Sequence, residues 1–183
     1  MVQNFQNIDE LHNQITICGT RVGYSHTIHI KSVLLWTYAE RATHIALWTF
    51  CALATSTLIG FIITDYTLCI ILSITSSILS TVVSTIINSM DFKTHQMDHK
   101  SAADSLWRIR EEYTSLLVDY PILSHDQRIT RRDCLLNKTD VIYRTSPATG
   151  MIAKIIAMRA LKSGEQTINS EDIQRMNPNF RDE

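Results

Sequence analysis

Little in this sequence bends the chain or offers reactive chemistry. Five glycines and three prolines among 183 residues exclude collagen-like and linker-rich architectures. The four cysteines, Cys18, Cys51, Cys69 and Cys134, lie far apart with no CxxC pair, which argues against a zinc ribbon or a disulfide framework. Lys and Arg total 17 against 18 Asp and Glu, a formal net charge of -1. Nucleic-acid binding by bulk basicity needs a clear excess of Lys and Arg, so no direct nucleic-acid binding is expected. No GxGxxG, Walker loop, GxSxG or paired catalytic carboxylates occur, so neither enzyme activity nor a cofactor is expected. No basic stretch leading into an apolar core opens the sequence, so no cleaved signal peptide is expected. With Val2 at the second position, no N-myristoylation is expected.

The most informative absence is local. The mean hydropathy of -0.01 matches an ordinary soluble protein, yet no Asp, Glu, Lys or Arg occurs over 45–64 or over 66–90, and Asp65 alone separates the two runs. A helix rises about 1.5 Å per residue, so either run is long enough for a hydrocarbon core of about 30 Å. As a buried hairpin of a soluble protein, both runs would need cover on all sides, and the remaining residues are mostly amphipathic and too few. The two runs therefore read as membrane spans joined by a minimal turn. Basic residues flank the spans on one side only, Lys31 and Arg41 before them and Lys93, Lys100 and Arg108 after, with none at the tip. By the positive-inside rule both termini are expected in the cytoplasm, with Asp65 and Tyr66 at the outer surface.

Six regions follow. Residues 1–24 form a polar segment with Ile8, Leu11 and Ile15 at helical spacing, punctuated by Gly19 and Gly23. Residues 25–44 carry a helical pattern with Trp36 and Tyr38, either an amphipathic pre-membrane helix at headgroup level or a helix packing on the polar part. The hairpin spans 45–90. Over 91–120, Phe92, His99, Leu106, Tyr113 and Tyr120 recur every seventh residue, with Ala102, Ile109 and Leu116 between them. That heptad seam predicts one long cytoplasmic helix packed on partner helices, in the manner of a coiled coil, and ended by Pro121. Over 121–163, Ser124 and Gln127 fit a capping box opening a basic helix through Arg144. Ser146-Pro147 reads as the N-cap and first residue of the next helix, with Ile152, Ile155, Ile156 and Ala160 on one face and Lys162-Ser163-Gly164 at its end. The polar tail 164–183 holds a short helix signal at Ser170-Glu171-Asp172, closed by Asn177-Pro178. No strand-like alternation occurs, and the fold class is all-α.

Two faces of the spans carry small or hydroxylated residues. Ala52, Ser56 and Gly60 form a small-residue ridge spaced by four in the first span, which lets helices approach closely in lipid. In the second, Ser73, Ser77, Ser80, Ser84 and Asn88 share a side with Ser76. This stripe either packs the hairpin or, in an oligomer, lines a polar pore; two helices alone enclose no lumen. Neither span holds a ring of charge, so a pore of this kind selects weakly between ions. His95 and His99 stand at i, i+4 with Asp98 adjacent, a spacing seen at zinc sites, but the HExxH glutamate is missing and no third ligand is fixed by spacing, so no metal site is expected. Arg128, Arg131 and Arg132 form a basic cluster, read either as a docking patch for acidic groups or lipid headgroups or as a solvated helix face.

The layout resembles the SLATT family of two-transmembrane effectors associated with SMODS nucleotidyltransferases and SLOG sensors. The resemblance rests on the aromatic-bearing helix, the hairpin with its minimal outer turn, and the post-membrane helix with His99-x-x-Ala102-Ala103-x-x-Leu106. The region around Tyr143-Arg144, Ser146-Pro147 and the Ile152/Ala153/Ile156/Ala160 face carries it further, over roughly 20–163. It implies a multi-pass inner-membrane effector of a bacterial antiphage conflict system, homo-oligomeric in the lipid bilayer. Activation by a co-encoded sensor, nucleotidyltransferase or reverse transcriptase would lead to pore formation, depolarisation and abortive infection. The alternative on the residues themselves is a membrane-anchored coiled-coil interaction module without pore activity. Established catalytic residues are unknown in the family, so none are implied here.

Overall fold

The structure, a computed structural model, describes residues 2–164; the tail signal at Ser170-Glu171-Asp172 lies outside the described residues. Five helices follow in order: α1 (Val2–Thr64), α2 (Thr67–Ser89), α3 (Phe92–Asp119), α4 (His125–Thr145) and α5 (Met151–Lys162). Helix makes up 90% of the described residues and no strand occurs among them, so the fold is all-α.

One helix organises the rest. At 63 residues, α1 is about 95 Å long, three times the thickness of a hydrocarbon core. Its C-terminal half pairs with α2 as an apolar hairpin, and its N-terminal half is the backbone of a polar bundle with α3, α4 and α5. The helix runs without a break through Gly19 and Gly23, where the sequence pattern places punctuation. Each internal glycine costs a helix about 1 kcal/mol relative to alanine, and packing overrides that cost here. A Cβ at Gly19 would stand 3.3 Å from the Cβ of Tyr113, so the missing side chain lets α3 lie close.

Breaks occur where the local chemistry demands them. At the hairpin tip Asp65 takes a left-handed φ of 52°. Between α2 and α3, Met90 and Asp91 leave helical geometry, and the Asp91 carboxylate caps α3 by accepting from the Thr94 amide at 3.1 Å and its hydroxyl at 2.6 Å. Pro121 follows the end of α3. Ser124 and Gln127 form a reciprocal capping box at the start of α4.

The entry to α5 differs from expectation. Ser146 is the C-cap of α4, with both its amide and its hydroxyl donating to the Ile142 carbonyl, and α5 starts only after Gly150. The residue before a proline is pushed towards extended ψ, and Ser146 at ψ 144° obeys by closing a helix rather than opening one. The inner face of α5 also differs. Ala153, Ala157 and Ala160 are buried, while Ile152 and Ile155 are exposed. Ala153 and Ala157 pack against Ile28, and these small side chains bring α5 close to α1.

The registers make a consistent bundle. α3 runs antiparallel to α1, setting Tyr120 against His12 and Phe92 against Trp36. α4 runs back parallel to α1, with Arg132 bonded to Gln14 and Tyr143 to Ser25. The core joins Leu11, Ile15 and Val22 of α1 to Leu106, Ile109, Tyr113 and Leu116 of α3 and Leu135 of α4.

Candidate functional site

Among the described residues, nothing outside the apolar hairpin covers it. Its two most apolar 18-residue windows are 0% and 6% buried. Core helices of a soluble protein are covered on the apolar side; these present Trp48, Ile59, Ile62, Ile63, Ile71 and Ile78 outward. Lipid is the medium in which such a surface is stable.

Within the hairpin most threonine hydroxyls are satisfied by the backbone. Thr49, Thr55, Thr57, Thr64, Thr75, Thr81 and Thr85 each donate to the carbonyl four residues earlier. Such bonding lets polar residues enter a membrane at small cost. Ser73 is different: it is buried, and its hydroxyl crosses to the Ala54 carbonyl of α1 at 2.9 Å.

The structure divides the serine stripe. Ser73 and Ser76 are buried at the α1–α2 contact and Ser80 and Ser84 are half-buried, whereas Ser77 and Asn88 are exposed. The small-residue ridge divides too. Gly60 meets Cys69 across the hairpin, where a Cβ would lie 3.7 Å from its sulfur. Ala52 and Ser56 are exposed. On α3, His99, Ala102, Leu106, Ile109, Tyr113 and Leu116 are all buried, as are Phe92, Ala103 and Tyr120.

Below the hairpin lies a polar centre that local spacing does not reveal. His29 Nδ1 and His99 Nδ1, 70 residues apart in sequence, are 3.0 Å apart and buried. Burial, then the proximity of His99 and His26, pushes His29 from an ordinary 6.5 down to about 4. Burial followed by His95 lowers His99 against the opposing pull of Asp98, and burial followed by Arg110 lowers His26 against Asp104. His95 stacks on Trp36 at 4.5 Å, and Trp36 also meets Phe92 edge-on at 6.1 Å. Glu40 accepts from Gln96 at 2.8 Å. Thus Trp36 packs on α3, while Tyr38 is exposed. The i, i+4 pair His95 and His99 therefore has its rings engaged with different partners on α1. The signal that finds this centre is the antiparallel register: once Phe92 is set against Trp36, His99 falls opposite His29.

The basic cluster is occupied internally. Arg131 pairs with Asp119 at 2.8 Å, Arg132 with Asp133 at 2.7 Å and with Gln14 at 3.0 Å, and Arg128 lies over the Tyr120 ring at 4.2 Å. These contacts tie α4 to α1 and to the end of α3.

Compared with known proteins, residues 11–172 match the sequence model described as SMODS and SLOG-associating 2TM effector domain family 4. No curated protein and no solved structure matches the chain.

Proposed function

Since the chain belongs to the SMODS and SLOG-associating 2TM effector domain family 4, we propose that it is an inner-membrane effector of a bacterial conflict system. In this reading several copies assemble into a pore and depolarise the membrane when a partner or nucleotide signal arrives. The observation that carries this is the uncovered apolar hairpin, held at one end of a bundle with its own separate core. Both termini and the bundle lie in the cytoplasm, on the side where Lys31, Arg41, Lys93 and Lys100 cluster.

One hairpin encloses no lumen, so conduction requires neighbouring copies. The exposed Ala52 and Ser56 give a neighbour close access to α1. The exposed edge of the serine stripe, Ser77 and Asn88 with Thr81 beside them, faces the lumen. A signal acting on the bundle shifts the closed–open balance only by its differential affinity for the two states. Co-encoded sensors, nucleotidyltransferases or reverse transcriptases are the candidate sources of that signal, and the effector needs no catalysis of its own.

A second reading is favoured by the hydroxyls that bond within their own helices, since these need no water-filled lumen. There the hairpin only anchors an interaction module. A membrane-potential dye in cells induced to make the protein separates the two. Depolarisation supports the pore; unchanged polarisation in cells with the protein assembled in the membrane rejects it.

A further inference from the structure

The histidines between α1 and α3 stand just below the one break in the α2–α3 rod. Asp91 marks that break, Phe92 follows it, and His95 and His99 lie on the next two turns. Across from them are Trp36, His29 and His26 on α1. The central contact, His29 Nδ1 to His99 Nδ1 at 3.0 Å, is a hydrogen bond in which one ring donates and the other accepts. It therefore requires one bare Nδ1, so each neutral ring holds the tautomer opposite to its partner's. A proton added to the bare Nδ1 sets two donors against each other. A proton added at the donor ring's Nε2 preserves the bond but places a charge among buried side chains.

We propose that the His29–His99 pair is a proton-operated latch, which holds α1 against α3 while both rings are neutral and releases them when the surroundings of the bundle acidify. The groups facing the latch contribute little compensation. Beside it stand His26 on α1, under Arg110 and Asp104, and His95 and Asp98 on α3. α4 presents Ile142, Thr145 and Ser146 near Asp98 and Ala102, and α5 presents Ala153 and Ala157 against Ile28. Among the described residues Asp98 is the carboxylate acting on His99, and His95 opposes it.

The sign follows from the shifts. His29 titrates at about 4 when packed and at the ordinary 6.5 when freed. The packed state keeps its full advantage above 6.5 and loses it as the pH falls from there towards 4. At a pH near 5.5, proton binding to His29 alone favours the parted state about tenfold, and the lowered His99 and His26 act in the same direction. Resting on the pore reading, the consequence is self-reinforcement: leaked protons acidify the bundle and release further latches.

The test uses the full chain in lipid nanodiscs, with the native cysteines replaced and nitroxide labels at Ile30→Cys on α1 and Met97→Cys on α3, both exposed positions. Pulsed electron-spin distances at pH 7.5 and 5.5 should lengthen on acidification, and should not lengthen in His29→Gln/His99→Gln. A distance that ignores pH in the otherwise native chain overturns the latch whether or not the double variant folds. An undiminished shift in the folded double variant overturns it as well. A change on adding zinc at pH 7.5, with none on acidification, replaces it by a metal-binding pair. Dye leakage from vesicles carrying the same protein separates this idea from the pore. Parting of the labels without leakage supports the latch and counts against the pore; leakage at pH 5.5 without parting overturns the latch.

Discussion

Gly19 lies so close to Tyr113 that a Cβ on the glycine would stand 3.3 Å from the tyrosine's own Cβ. Tyr113 is 1% exposed, and burial raises its hydroxyl pKa. One turn on, Gly23 is looser, its added Cβ meeting only the Arg110 side chain at 3.7 Å. The two glycines should therefore respond oppositely. Gly23→Ala should stabilise the bundle by about 0.5–1 kcal/mol through helix propensity. Gly19→Val should destabilise it by about 1–3 kcal/mol, because the added volume forces α1 and α3 apart. Thermal unfolding in detergent, followed by the helical circular-dichroism signal, checks both; equal responses would mean the close approach is not the constraint.

Ser124 tests a local device in isolation. Its hydroxyl accepts from the Gln127 amide at 3.3 Å, and the Gln127 side chain accepts from the Ser124 amide at 3.0 Å. Ser124→Ala should cost about 1 kcal/mol. It should raise hydrogen exchange in the first turn of α4 without changing exchange in the α1–α2 hairpin. Faster exchange spread evenly over the molecule would show that the cap sets global rather than local stability.

That cap was readable because capping is decided within four residues. The uncharged runs and the seven-residue recurrence from Phe92 to Tyr120 are equally local patterns. What stayed hidden depends on a partner distant in sequence. Gly19 reads as punctuation because its benefit, close approach to Tyr113, lies some ninety residues away. The inner face of α5 departs from the spacing because a choice between isoleucines and alanines depends on how near α1 stands, which periodicity does not encode. The arginines at 128, 131 and 132 present a basic cluster in one dimension, while Tyr120, Asp119, Asp133 and Gln14 engage it in three. The division of the serine stripe, with Ser73 inside and Ser77 outside, follows from the rotation of α2 against α1, for which spacing by four gives no reference point.

The proposed topology makes a direct prediction at the tip. Asp65, exposed and at a left-handed φ of 52°, should tolerate Asp65→Asn better than Asp65→Val, since asparagine enters that region readily and β-branched residues do not. In a cysteine-free background, a thiol placed at exposed Tyr66 should react with a membrane-impermeant maleimide once the outer membrane is permeabilised. A thiol placed at exposed Lys100 should react only after the inner membrane is opened. The reverse pattern would place the bundle outside and reject a cytoplasmic activating partner.

Ser73 and Ser77 lie one turn apart on α2, and under the pore reading their substitutions distinguish assembly from conduction. Ser73 is buried with its hydroxyl on the Ala54 carbonyl. Ser77 is exposed, and its carbonyl accepts from the Ser80 and Thr81 hydroxyls. A leucine at 73 overfills the helix contact at about 1–3 kcal/mol, so Ser73→Leu should lower the amount of assembled protein in the membrane. Ser73→Ala removes only the interhelical bond, which in membranes averages about 0.6 kcal/mol, and should assemble nearly normally. Ser77→Leu adds an apolar group to a surface that contacts either lipid or a lumen. Facing lipid, it changes neither assembly nor leakage; facing a lumen, it leaves assembly intact and stops depolarisation. The expected outcome is the second, read by cross-linked oligomer and membrane-potential dye on the same cells. A Ser77→Leu protein that assembles and still depolarises would remove this edge of α2 from the conduction path.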